Sequence, residues 1–326
     1  MTDANPSDVL EGTEPAGQSD PPIDEVGSLA DAVVDNVGTV IVGQDDVIEH
    51  VVVAMLGRGH VLLEDVPGVG KTMLARSIAR SFDSSFKRVQ FTPDLLPSDI
   101  TGANVFDQRT GEFEFRPGPL FANVVLGDEI NRAPPKTQSA LLEAMAEEQI
   151  TVDGTTRDVP RPYTVIATQN AVEPGRTYEL PIAEVDRFMK KLELGYPDAD
   201  DETELLDRIV GDHPIESLSP VAAAEDLTRA REAVSSVTVE RPVREYATAL
   251  SGYTREHADL GASPRATVAL MRAGQARAAF EGRGYVVPDD LKREAPAVLA
   301  HRVQTGEAGR SGREVVRDAL DSVPVP

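Results

Sequence analysis

The run Asp65-Val66-Pro67-Gly68-Val69-Gly70-Lys71-Thr72 brings two glycines, a lysine and a hydroxyl together within eight residues. Gly68 and Gly70 let backbone N–H groups turn inward around an oxyanion. A helix starting after Gly70 aims its N-terminus at the same charge. Lys71 can then reach the β- and γ-phosphates of a nucleoside triphosphate, and the Thr72 hydroxyl suits Mg²⁺. Pro67, Gly68, Val69, Gly70, Lys71, Thr72 and Met73 are therefore expected to hold nucleotide. The first position carries Asp65 where the G-x-x-x-x-G-K-[ST] pattern has Gly. That residue closes the loop without an essential phosphate contact, so the reading stands.

Val124 to Asn131 read VVLGDEIN. A buried strand here delivers Asp128 to its C-terminal end, where it can hold Mg²⁺ through water. Glu129 beside it can polarise a water for attack on the γ-phosphate. A pair of acids after a strand is common; its pairing with a phosphate loop makes it informative. Thr168-Gln169-Asn170 follow the apolar run TVIA, and Asn170 is the expected contact to the γ-phosphate or the water. Two arginines, Arg187 in AEVDRF and Arg265 in ASPRA, are placed to offset charge on a transferring phosphoryl group. By composition alone, each would read as a surface arginine.

These residues need a scaffold, and the periodicity supplies one. Ser28–Val37 and a segment from Asp45 read as helices. His60–Glu64, Val89–Phe91, Val124–Asp128, Thr164–Thr168 and Leu192–Leu194 read as strands of a parallel sheet. Asn104–Phe106 with Glu112–Phe115, and Ile150–Val152 with Thr156–Val159, read as hairpins around Gly-containing turns. Pro134 and Pro135 open a helix. After Pro197 every apolar pattern is helical. The expectation is an α/β nucleotide-binding domain over 25–197, an all-α domain over 198–326, and a disordered acidic tail over 1–24.

Composition excludes several functions. The chain has no Cys, which removes disulfides, thiol catalysis and Cys-ligated metals, and its five His are scattered. No apolar run approaches the ~20 residues of a membrane span, and the N-terminus has no signal-peptide pattern, so a cytoplasmic protein is expected. The net charge of −23, with abundant Arg and little Lys, reads as adaptation to high salt, where a Debye length of ~3 Å screens the carboxylates from one another.

LLEDVPGVGKT, GDEINRAPPKTQSALLEAMAE, TVIATQN, ELPIAEVDRF and ASPRATVALMRA, in that order, resemble the signatures of AAA+ ATPases, and specifically of the MoxR family, over about Val40 to Arg302. Gly127 is a mild departure from the family pattern. The resemblance implies an AAA+ core with a small helical lid, ATP and Mg²⁺ as cofactors, and assembly into a ring, by expectation a hexamer. It implies that ATP sits between the α/β domain and the lid, with Val42, Gly43 and Gln44 near adenine. Arg187 would reach the next subunit's ATP, with Arg132 a rival for that role, and Arg265 would act from the lid. The implied function is ATP hydrolysis coupled to chaperone-like remodelling of a protein client, with von Willebrand factor A domain proteins as expected partners. Two rivals stand beside it. A nucleic-acid motor would need basic hairpins facing a pore, and the hairpins offer only Arg109, Arg116 and Arg157. A non-hydrolysing scaffold would have no need of Glu129 and Asn170.

Overall fold

A computed structural model describes residues 22–64, 68–169, 178, 180–209, 214–306 and 310–326. Most of the expected tail lies outside these residues. Its last three positions do not, and two of them are helical: α1 runs Ile23–Gly38, starting five residues before the expected Ser28. Asp24 and Glu25 in its first turn favour the helix dipole, and Val26, Ala30, Val33 and Val37 form its buried face.

The chain continues as α2 (Asp45–Leu56), β1 (Val61–Glu64), α3 (Lys71–Ser81), β2 (Phe86–Gln90), α4 (Pro97–Thr101), β3 (Gly102–Asp107), β4 (Glu112–Pro117), β5 (Val124–Asp128), α5 (Pro135–Glu147), β6 (Gln149–Val152), β7 (Thr155–Asp158), β8 (Thr164–Gln169), α6 (Ile182–Val185) and β9 (Lys190–Leu192). Helices follow: α7 (Ala199–Ile209), α8 (Pro214–Ser217), α9 (Ala224–Ser236), α10 (Arg241–Glu256), α11 (Pro264–Phe280), α12 (Pro288–Leu299) and α13 (Gly312–Ser322).

Five parallel strands form one sheet in the order β2-β5-β8-β1-β9, and β3–β4 and β6–β7 are separate antiparallel hairpins. Side chains alternate across the sheet. Val61, Leu63, Val124, Leu126 and Ile166 face a core shared with α1, α2, α3 and the later helices. Leu62, Val125, Val165 and Ala167 face a second core with α5 and the hairpin bases. Because strands are parallel, all five end on one edge, and that edge receives the phosphate loop after β1, Asp128 at the end of β5 and Gln169 at the end of β8.

Two strands of the sheet differ most from the sequence reading. β2 begins at Phe86, three residues earlier than expected, because an edge strand tolerates the exposed Lys87 and Arg88. β9 is Lys190–Leu192 rather than Leu192–Leu194. Lys190 is fully buried and pairs with Glu294 of α12 at 2.5 Å. Glu294 also lies 2.9 Å from Arg277 of α11 and 3.3 Å from His50 of α2. A strand lysine with a distant buried partner cannot be recognised as core from local pattern. Burial pulls the Lys190 ammonium down to about 8, against the opposing pull of Glu294. Burial pushes the Glu294 carboxyl up, but Lys190, His50 and Arg277 outweigh it and hold that group well below the usual range. This cluster ties the later helices to the sheet.

Candidate functional site

At the edge where the strands end, Gly68 and Gly70 have φ of +92° and +94°, a left-handed backbone that glycine adopts without the Cβ penalty. Gly70 caps α3, so the helix N-terminus opens onto the loop. Lys71 is buried, and Val69, Thr72 and Met73 are half-buried. Pro67 lies outside the described residues, as does Asn170.

Asp128 is buried at the end of β5. Its Oδ1 accepts from the Thr168 hydroxyl at 2.7 Å, while Arg88 donates to Oδ2 from Nε at 3.1 Å and from a terminal nitrogen at 2.6 Å. The Glu129 N–H donates to the Thr168 hydroxyl at 2.9 Å. Glu129 itself sits at φ +57°, a cost accepted where the chain turns sharply out of the strand. Its carboxylate accepts from Gln90 Nε2 at 2.9 Å and pairs with Arg132 at 3.0 Å. Arg88, Gln90 and Thr168 thus orient the two acids, and none of them was singled out for this from sequence. Only the neighbouring strands β2 and β8 make them adjacent. Gly127 is also explained: a methyl there would stand 3.0 Å from Ile130, with Leu141 and Phe91 close behind. The Thr72 hydroxyl and the Asp128 carboxylate are hard oxygen donors, the chemistry Mg²⁺ selects. Asp128 shares its carboxylate with Arg88 here, so water-mediated binding fits this donor set.

Val42 and Gly43 line a cavity of about 670 Å³ between α1, α2 and α7. Gly43, at φ +69°, lies against Asp201, where any Cβ would collide. Gln44 caps α2 and does not line that cavity, nor do the described phosphate-loop residues.

The expected arginines lie elsewhere. Arg187 and Arg265 line one cavity of about 210 Å³, together with Arg58, His60 and Arg272. Arg58 and His60 immediately precede β1, and the Met189 N–H beside β9 donates to the His60 carbonyl at 2.9 Å. The cavity is therefore at the starting edge of the sheet, a strand length of roughly 13 Å or more from the phosphate loop of the same chain. Asp186 is the joint that assembles it. The Ser263 hydroxyl, which also caps α11 by accepting the Ala266 N–H, donates to Asp186 Oδ2 at 3.1 Å. Arg302 donates to Asp186 Oδ1 at 2.6 Å and to the carbonyls of Asp186 and Phe188 at 2.9 and 2.7 Å. Residues 78 positions apart in the chain, Arg187 and Arg265, are set side by side by this link. His60 adds no charge. Its Nδ1 accepts from the Val165 N–H and its Nε2 donates to the Met145 carbonyl, both at 3.0 Å, and burial pulls it down to about 4.

A strand-edge phosphate loop, a paired Asp-Glu at the end of the inner strand β5 and a helical cap define a nucleoside-triphosphatase class of fold. The description "ATPase family associated with various cellular activities (AAA)" matches residues 60–190, and "AAA lid domain" matches 252–321. Chaperone MoxR1 of Mycobacterium tuberculosis is 40% identical over 86% of this chain and 76% of its own length. The protein MoxR of Methylorubrum extorquens is 32% identical over 88% and 92%, and YeaC of Bacillus subtilis is 46% identical over 93% and 97%. A solved structure from Cytophaga hutchinsonii superposes with a TM-score of 0.87 at 38% identity, covering 93% of this chain and 97% of that one. The chain belongs to the MoxR family of AAA+ ATPases. An MCM homologue from Methanopyrus kandleri shares the fold alone, with a TM-score of 0.59 at 18% identity. Among the described residues, no helix is long and apolar enough to cross a membrane.

Proposed function

We propose that the protein hydrolyses ATP at an interface between copies of itself and uses the cycle to remodel a protein client. The observation that carries this is the separation of the site into two ends. The phosphate loop with Asp128 and Glu129 occupies one edge of the sheet, and Arg187 with Arg265 occupies the other. An arginine at the starting edge cannot reach the nucleotide of its own chain, but it can reach that of a neighbour stacked in the same sense. Repetition of such a head-to-tail contact closes a ring when the rotation allows. A hexamer is the proposed state.

In this reading Gly68 to Gly70 and the start of α3 receive the phosphates, and Lys71 offsets their charge. When bound by Thr72 and Asp128, Mg²⁺ supplies further charge neutralisation. Glu129 takes the proton from the attacking water, with Asn170 as a second contact to the water or the γ-phosphate. Val42, Gly43 and Gln44 are proposed to sit near adenine. The client is proposed to be a protein, with a von Willebrand factor A domain as one candidate. A cytoplasmic location and an acidic surface tuned to high salt complete the proposal. ATPase rate per chain, followed across protein concentration in molar salt, tests the composite site. It should rise steeply with assembly; a constant rate down to the monomer would overturn the proposal.

A further inference from the structure

We propose that Arg58 and Arg272 complete, with Arg187 and Arg265, an anion-binding cavity that takes the polyphosphate of a nucleotide held by a second copy of this chain. The inference rests on the cross-subunit reading above and extends it to two residues that no motif marks.

The first observation is charge. The chain carries 55 acids against 32 bases, and many of its arginines lie beside carboxylates. Arg88, Arg161, Arg208, Arg229, Arg283 and Arg310 each have one within 3.1 Å. Arg58, Arg187, Arg265 and Arg272 belong to the described arginines that make no ion pair within 4 Å, and all four line one cavity. Among the described residues, Asp186 is the one carboxylate lining it, and it is already committed to Arg302 and Ser263. Four like charges gathered in so acidic a protein repel one another, and an incoming polyanion relieves that repulsion.

The second observation is placement. Arg265, Val268, Ala269 and Arg272 line the cavity from α11 at the spacing of a single helix face. Arg58 comes from a separate segment, between α2 and β1, with φ of +57°. Glycine would take that backbone at lower cost, so the position holds arginine against local preference. Guanidinium groups from separate elements converging on one space suit the several oxygens of a polyphosphate, each of which accepts planar, charge-assisted hydrogen bonds.

The test uses the full chain in molar salt. Arg58→Gly relieves backbone strain and Arg272→Ala keeps a good helix former, so neither should impair folding; circular dichroism melts verify this. Both variants should bind a fluorescent ATP analogue as the wild-type monomer does. Both should lose at least tenfold in ATP hydrolysis and in assembly driven by a slowly hydrolysed ATP analogue, read by sedimentation velocity. Mixing Arg272→Ala with Lys71→Ala chains should restore part of the turnover. Wild-type hydrolysis and assembly in both variants, with Arg187→Ala inactive, would overturn this inference alone. Wild-type behaviour of Arg187→Ala as well would overturn the cross-subunit reading beneath it. The source of the phosphate is separated by inorganic triphosphate added to Lys71→Ala protein. Negligible binding supports a neighbour's nucleotide, whereas tight binding lost in Lys71→Ala/Arg272→Ala would make this a site for free anions and overturn the proposal.

Discussion

The two edges of the sheet are built by different means. At the edge where strands end, the chemistry is local: a glycine loop, the first turn of α3, and two acids adjacent in sequence at the end of β5. At the starting edge it is assembled from remote pieces, with Asp186 joining the loop before β9 to Ser263 at the start of α11 and to Arg302 beyond α12. The first edge needs only a strand, a turn and a helix. The second exists only if the lid helices dock on the sheet. Binding of nucleotide should therefore survive changes that abolish its turnover.

The sharpest break in that comparison comes from Lys71→Ala. It removes the cation at the phosphate loop, and calorimetry should detect no ATP binding. Retained affinity would move the nucleotide away from this edge. At the other edge, Arg187→Ala should bind ATP almost as wild type does while turnover falls by ~10³-fold or more, the range of arginine fingers supplied in trans. Mixing it with Lys71→Ala chains should regain activity at the interfaces where one intact edge meets the other; co-assembled but silent mixtures would count against action in trans. Glu129→Gln keeps its shape but loses the proton acceptor, so ATP should bind normally and hydrolyse ~100-fold more slowly. Wild-type rates would shift the base elsewhere. The same variant should trap a client for identification by affinity capture. The smallest effect on chemistry is expected between the edges. Glu294→Gln leaves Lys190 buried without its carboxylate and should cost about 3–5 kcal/mol of stability, seen as a lowered denaturation midpoint. Nucleotide affinity of the folded fraction should stay unchanged. An unaltered midpoint would mean that the buried cluster does not tie the lid to the sheet.

The sequence was informative where function and folding share a short segment. The phosphate loop, Asp128 with Glu129, both hairpins and the switch to helices after Pro197 were all readable from spacing and periodicity. The limits of α1, β2 and β9 were not, since each turns on a partner distant in the chain. β9 is the clearest case: Lys190 looks like a surface residue until Glu294, 104 positions later, is placed beside it. Arg88, Gln90 and Thr168 escaped for a related reason. Their roles come from the strand order β2-β5-β8, which lays residues about 40 apart side by side.

The sequence by itself determined the class of chemistry, because a loop that cradles phosphate is made by backbone dihedrals and one helix end, and both are set by neighbouring residues. It also pointed to Arg187 and Arg265, but not to their sharing one cavity. Only the tertiary structure decided that, by packing α11 against the start of β1 and β9 and so carrying both residues to the edge opposite their own phosphate loop. Periodicity records which face of an element is buried. It carries no record of what lies across that face, because the contact is chosen by the packing of the whole core.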